Sequence, residues 1–529
     1  MTQQWNMKTF MKGASILTIS AIVVKILSAV YRVPFQNLVG DKGFYIYQQV
    51  YPIIGIFVVW TSYGFSAAVS KVMASSSNRD EANAKMAIAF YVLTFVSLAV
   101  FIFLLVFAQF LANAMGDPEL APLIRVCAAI ILMMPALGTL KGVFQSEGRM
   151  VPVAVSNVGE QAFRVIVILC GTWLAVRSSA SLYKTGEVAI WGTVVGQAAG
   201  VIILVLYFRN RFKGEQGKVN RWAVVKDLAV ISVSVSASAL ILLLFQLIDS
   251  FTVYKLLLAS GYSSNDAMVL KGIYDRGQPL VQMGILVAST LALAIVPLIS
   301  HQASKKQGRG AEPYIRLTFR TALLFGWAAT IGLMLILPAA NEMLFETKDG
   351  SEALMIFVMQ IFWCSLLLPL TAILQGAGKV KVPILLFLAG MSCKVIANYL
   401  LVPHFSITGA AIAGNFGFVV IALGIIFYFK KIWALQLASR HFYRSVLVAT
   451  ALMSVVVLSW QLLADGFIFD NFPSRVGAML IAMTSIAIGA ITFLFMTMKL
   501  RVLAEREWYL LPFGKRLAIV QLKLHKKKR

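Results

Sequence analysis

Six basic side chains fall inside the apolar runs of this chain: Lys25, Arg32, Arg125, Arg164, Arg276 and Lys394. A cation at mid-membrane depth costs about 2.5–3.5 kcal/mol on insertion scales, so each one requires a reason. Only Glu160 and Asp275 offset them, which leaves an excess of four positive charges. A polar cavity of that sign attracts an anion, most naturally a phosphate or pyrophosphate, since Arg and Lys pair well with both. A cavity for cationic compounds needs the reverse, carboxylates facing inward.

The spacing of these residues gives each a first assignment. Lys25 and Arg32 are seven apart, two helical turns, and are expected on one face with Ser28 between them. Glu160 precedes Arg164 by four, the favourable order for an intrahelical pair, so Arg164 either lines the cavity or is neutralised by Glu160. Arg125 lies near a span end, where its side chain can snorkel to the interface. Asp275 and Arg276 precede Gly277 and Pro279, where a helix is easily irregular, and irregular backbone at depth is tolerated where it lines a cavity. Lys394 has no acid one turn away, only Asn398.

The elements that must carry these residues are membrane helices. The 529 residues are 59% apolar and only 13% charged, with a mean hydropathy of +0.82, against about 25% charged in soluble proteins. The apolar runs are long and lack strict alternation, so they read as helices and not as barrel strands. About fourteen spans result, making an all-α integral membrane protein. The net charge of +25 concentrates in the loops, which points to topology and anionic lipid and away from nucleic acid. With the N-terminus placed in the cytoplasm, 34 of the 47 Lys and Arg lie on the inner side. The outer loops hold 7: Lys42, Arg177, Lys184, Lys255, Lys271, Lys348 and Arg475. The positive-inside rule then places both termini in the cytoplasm of a multi-pass plasma-membrane protein.

One stretch occurs twice. Gln145, Gly148, Arg149 and Pro152 form a short basic hairpin that returns as Gln375, Gly378, Lys379 and Pro383. Each copy opens a span with one internal cation, Arg164 or Lys394, and Gly148 and Gly378 are the expected hinges along with Gly277 and Pro279. Lys42, Gly43, Tyr45 and Gly55 recur at nearly the same offset as Lys271, Gly272, Tyr274 and Gly284. The chain therefore reads as two pseudo-symmetric six-helix bundles, 1–212 and 227–431, joined by a cytoplasmic linker at 213–226. Two further helices occupy 432–498 and a basic tail 499–529. Parallel repeats with a site between them are a recurrent transporter plan. In the tail, Trp508, Tyr509, Leu510 and Phe513 precede a closing run of basic residues. This reads as an interfacial amphipathic helix held by anionic lipid headgroups, or as a solvated basic tail.

No enzyme or cofactor signature appears. Around Gly376 and Lys379 the phosphate-loop pattern fails, with Ile373 and Val380 at two of its required positions. His301, His404, His441 and His525 lack metal-ligand spacing, and Cys127, Cys170, Cys364 and Cys393 lie in apolar runs without a CxxC. The longest loop is about 20 residues, too short for the polar catalytic domain of a membrane glycosyltransferase or polymerase. Without ATP hydrolysis, an ion gradient or the membrane potential is the expected driving force.

At this point the residues match a family. Lys12-Gly13, Ser28 through Pro34, Gly40 through Gly43 and Tyr47-Gln48 resemble the opening of Gram-positive polysaccharide-transport proteins. These belong to the multidrug/oligosaccharidyl-lipid/polysaccharide exporter superfamily. Tyr274, Asp275, Arg276, Pro279 and the run Ala294 to Pro297 resemble the eighth span of MurJ-type flippases, in the branch shared with the stage V sporulation protein B group. The resemblance implies two six-helix bundles around a central cationic cavity, with the last two spans forming a groove for a lipid tail. It implies alternating access for an undecaprenyl-pyrophosphate-linked sugar, foremost the peptidoglycan precursor lipid II, or another cell-wall or spore polysaccharide precursor. A cation-coupled multidrug exporter of the same superfamily is the alternative. By position, Arg276 matches the family's eighth-span arginine, and Lys25 and Arg32 approximate its first-span pair. This chain has Lys for the first of that pair, spaced one residue wider, and the second-span basic residue has no counterpart in the apolar Phe57–Trp60 segment.

Overall fold

The computed structural model describes residues 7–208, 219–293, 312–433, 436–509, 511 and 514–526. The described residues are helical almost throughout, as the sequence pattern requires. Among the described residues, eleven helices are long and apolar enough to cross a membrane. Two of these are far longer than one crossing needs. The run Ile16–Ala74 has 59 residues, about 88 Å of helix against about 30 Å of hydrocarbon, and Lys381–Lys431 has 51. Each is broken once, at Gly40 (φ 67°) and at Ser406 (φ 52°), so each supplies two crossings. The expected span at 275–300 is present as Gly277–Leu293; its remainder, including Ala294 to Pro297, lies outside the described residues.

The chain divides into two compact units, Met1–Asp275 and Arg276–Arg529. Of the linker expected at 213–226, residues 213–218 lie outside the described residues and 221–226 already belong to a membrane helix that starts at Arg221. In the first unit, α1 (Met7–Val30) leads through Tyr31 into α2 (Arg32–Val59), which continues through a π turn (Trp60–Phe65) into α3 (Ser66–Ala74). Helix α4 (Arg79–Met115) starts where the Asn78 side chain accepts from the Glu81 amide at 2.8 Å and ends at Gly116, which supplies a positive φ of 89°. Then follow α5 (Ala121–Ile131), α6 (Met134–Ser146), α7 (Met150–Arg177), α8 (Leu182–Phe208), α9 (Arg221–Ala259) and α10 (Ser264–Asp275). Between membrane spans, Asp117 is buried and accepts from the Tyr45 and Tyr183 hydroxyls at 3.1 and 2.8 Å. Burial pushes its carboxyl above the ordinary carboxylate range despite those two donors.

The repeat read from the sequence is written in the turns. Arg149 N–H bonds the Phe144 carbonyl and Gly148 N–H the Gln145 carbonyl, at 2.9 and 3.0 Å. Lys379 to Leu374 and Gly378 to Gln375 repeat both bonds at the same lengths. This is a helix-ending turn that needs a left-handed residue, and Gly148 (φ 71°) and Gly378 (φ 75°) provide it. Gly116 and Glu346, and Ser179 and Ser406, are further positive-φ turns at nearly the same offset.

The second unit begins with α11 (Gly277–Leu293) and α12 (Glu312–Phe345). It continues with α13 (Ser351–Val358), α14 (Gln360–Gly376) and the double span α15 (Lys381–Trp433). The last elements are α16 (Arg440–Asn471), α17 (Ser474–Lys499), the short turn α18 (Glu505–Trp508) and α19 (Gly514–Lys526). One tail expectation changes here. Trp508 is fully buried, its indole N–H donating to Gln521 at 2.7 Å, so it belongs to the protein interior and not to a membrane-interface belt.

Candidate functional site

Among its described residues, the first unit buries two guanidinium groups that form no salt bridge; the acid acting on Arg32, Asp275, is committed to Lys271. Arg32 is completely inaccessible, and among the described residues none of its three nitrogens has a hydrogen-bond partner. It lies over the Tyr51 ring, 4.4 Å from the centroid. Arg164 reaches the same ring from α7 at 5.7 Å and the Tyr31 ring at 5.9 Å. Its Nη2 donates to the Tyr47 hydroxyl at 3.1 Å, that hydroxyl pairs with Tyr31 at 2.9 Å, and its Nε has no partner. Tyr47 and Tyr51 are four apart on α2, so both rings fall on one face and form the surface the two cations share. A cation over an aromatic face gains about 2 kcal/mol or somewhat more when desolvated. Burying an ion costs several kcal/mol, so the cluster remains electrostatically incomplete. An oxyanion with two or more acceptor oxygens is the ligand that completes it.

The remaining candidates are distributed differently from the sequence expectation. Lys25 on α1 is exposed whereas Arg32, two turns on, is buried, so the pair expected on one face does not share one environment. Arg125 is exposed on α5. Glu160 does not pair with Arg164. Its carboxylate meets Lys141 of α6 at 2.7 Å and accepts from Ser156 at 3.0 Å, while Lys141 also donates to Ser62 in the π turn at 3.3 Å. Lys141, which the sequence reading did not single out, is fully buried. Arg164 is therefore not neutralised by its neighbour and stays with the tyrosines.

Lys271 is also corrected. It is not an outer-loop cation but is buried on α10, donating to both oxygens of Asp275 at 2.6 and 2.7 Å. Asp249 of α9, a further buried acid, accepts from Tyr274 at 2.9 Å. Helix α10 packs on α2 closely enough that a Cβ on Gly272 would lie 2.2 Å from the Asp41 carbonyl oxygen.

In the second unit Arg276 is buried, donates to Asn341 Oδ1 at 3.3 Å, and lies over the Phe345 ring at 5.3 Å. Gly277, next along, faces the Phe357 ring, which a Cβ there would meet at 2.5 Å, and Pro279 is buried. Lys394 is buried on α15 near fully buried Asn398, its Nζ 3.8 Å from where a Gly414 Cβ would sit.

The sequence carried signals for what it left unassigned. Tyr31 and Phe35, and Tyr47 and Tyr51, are spaced by four. Gly192, Gly196 and Gly200 form a small-residue stripe on α8, the type that lets membrane helices approach closely. That stripe presses on α7: a Cβ on Gly196 would lie 2.5 Å from the Glu160 carbonyl oxygen and 2.9 Å from the Arg164 Cβ. Backbone cannot step aside as a side-chain end can. Gly196→Ala is therefore expected to cost about 1–3 kcal/mol by overpacking. A lowered melting temperature of the purified protein in detergent checks it, and an unchanged one would mean α7 and α8 tolerate separation.

Comparison with known proteins places this geometry. The family model described as "Polysaccharide biosynthesis protein" matches residues 10–302, and the MatE model matches 257–400. The chain is 36% identical to the uncharacterized membrane protein YabM of Bacillus subtilis (strain 168), over 96% of both chains. It is 24% identical to the lipid II flippase MurJ of the same organism, covering 92% of this chain and 94% of that one. A solved lipid II flippase MurJ in an inward closed conformation has the same fold, with a TM-score of 0.69 at 12% identity over 92% of this chain and 98% of that one. Matched over more than half its length by that family model, and over nearly all of it by a relative at 36% identity, the chain belongs to the polysaccharide biosynthesis protein family of the multidrug/oligosaccharidyl-lipid/polysaccharide exporter superfamily.

Proposed function

We propose that this membrane transporter is a flippase that moves a polyprenyl-pyrophosphate-linked sugar, foremost the peptidoglycan precursor lipid II, from the inner to the outer leaflet by alternating access. The observation that carries this reading is the pair Arg32 and Arg164, two buried guanidiniums that share the Tyr51 ring and form no ion pair among the described residues. A pyrophosphate supplies the missing negative charge and accepts bidentate hydrogen bonds from both forks. Arg276 and Lys394 are the second unit's binding cations in this reading, and Lys25 receives the headgroup from the cytoplasmic side. Such an anion favours whichever state lets it touch more of these cations, and that differential affinity shifts the populations of the two states. A coupling ion or the membrane potential drives the cycle. The first-unit site argues against the alternative, a drug exporter for cations, because its uncommitted buried charge is positive.

The test is complementation. Expressed in a strain depleted of its lipid II flippase, the chain restores growth and exposes lipid II at the outer leaflet, and Arg276→Ala removes both effects while membrane expression persists. Full rescue by Arg276→Ala would remove that residue from the site. Expression without rescue by the native chain would move the cargo to another polyprenyl-linked glycan.

A further inference from the structure

The C-terminal segment docks on the second unit through one set of residues and leaves a different set outside. Arg320 of α12 donates to Glu507 and to the Val502 carbonyl, with its guanidinium 4.8 Å from the Phe442 ring centroid. Trp508 binds Gln521, and Gln521 Nε2 in turn donates to the Leu503 carbonyl at 3.2 Å. Gly514 starts α19 directly against Trp508, whose carbonyl oxygen would lie 1.6 Å from any Cβ there. Gly514, Ala518 and Gln521 are buried, so the inner face follows a helical spacing. At about 100° per residue the opposite arc spans roughly 160° and carries, in order, Leu522, Lys515, Ile519, Lys523, Arg516 and Val520. All six are exposed, with Ile519, Val520 and Leu522 at 40%, 41% and 38%. From Gly514 to Arg529 there are seven Lys and Arg and no Asp or Glu.

We infer that this outward arc of α19 is a docking surface for anionic phospholipid headgroups. Three aliphatic and three cationic side chains are interspersed on one exposed face. Cations alone would suit any polyanion, but the aliphatic residues between them suit the boundary where headgroups meet acyl chains. The position agrees: the helix begins 15 residues after Lys499, where the last membrane-crossing helix ends, and packs back on that helix. Lys and Arg reach the headgroup phosphates while Ile519, Val520 and Leu522 enter the interface. Trp508, the residue that composition alone would choose as anchor, instead fixes the orientation from the inside.

The experiment uses the full-length chain in nanodiscs of phosphatidylcholine, with or without phosphatidylglycerol, and follows amide hydrogen exchange in 514–526. The expected result is exchange at least tenfold slower with phosphatidylglycerol, reversed by high salt. In the charge-reversed variant Lys515→Glu/Arg516→Glu/Lys523→Glu the lipid difference disappears while protection around Trp508 stays, because those side chains point away from the docked face. Equal exchange in both lipids would overturn the inference, leaving a helix protected by docking alone. Persistence of the lipid difference in the charge-reversed variant would overturn it too. Neither outcome depends on the transported cargo.

Discussion

Replacing Arg32 with Met abolishes complementation while leaving the melting temperature of the purified protein unchanged or raised. The two halves of that result come from one observation. Among the described residues the Arg32 guanidinium has no accessible surface, no salt bridge and no hydrogen-bond partner; the Tyr51 ring lies against it at 4.4 Å, and the Asp275 carboxylate, already held by Lys271, acts on it only at longer range. The effective penalty of a buried ion without a salt bridge is several kcal/mol, against about 2 kcal/mol or somewhat more returned by the ring. Met fills most of the same volume without the charge, so the ligand-free fold loses a cost and not a support. Transport loses the fork that would meet a pyrophosphate. Arg32→Lys is expected to fall between, since a point charge cannot bind two oxygens with the same geometry. Growth rescue and a thermal melt in detergent check both halves. Rescue by Arg32→Met would remove Arg32 from the anion site, and collapse of the fold would show that its charge is compensated after all.

The sequence showed more of the fold than of the site, for physical reasons visible in single residues. A glycine or serine forced into the left-handed region is a local event, so the paired turns at Gly148 and Gly378 follow from the hairpin motif itself. Apolar length is likewise local, which made the membrane spans legible. Charge pairing is not local. Glu160 has Arg164 one turn away on its own helix, yet Lys141 arrives from α6 at 2.7 Å, and no spacing rule within α7 could announce it. Lys25 and Arg32 are two helical turns apart, yet one is exposed and the other buried, because what packs around each turn is set by other helices and not by the spacing. Lys271 and Asp275 were four apart in plain view, but the basic residue was assigned to a loop because the apolar run begins only after it. Trp508 shows the same limit in the tail. An aromatic beside basic residues has one composition whether it faces lipid or the interior, and only Gln521, 13 residues on, decides between them.

Lys141→Met is expected to have the opposite sign from Arg32→Met, although both delete a fully buried cation. Lys141 is compensated: Glu160 meets it at 2.7 Å and Ser62 accepts from it at 3.3 Å. Its removal strands the Glu160 carboxylate between α6, α7 and the Gly200 turn of α8, with only the Ser156 hydroxyl left to it. Breaking one side of a buried pair typically costs about 3–5 kcal/mol, and removing both sides is often neutral. Lys141→Met should therefore melt far below the native protein, Glu160→Gln should lose less because its amide still bonds Ser156, and the double variant should recover most of the loss. The coupling energy of that cycle isolates the pair. A cycle with no coupling would mean the two side chains do not meet in the membrane as they do here. The double variant also separates structure from transport: restored stability with full complementation makes the pair a tie between α6 and α7, while restored stability without complementation makes it part of the transport cycle. Because Ser62 lies in the π turn between α2 and α3, the second outcome would point to that turn as the element whose rearrangement the pair controls.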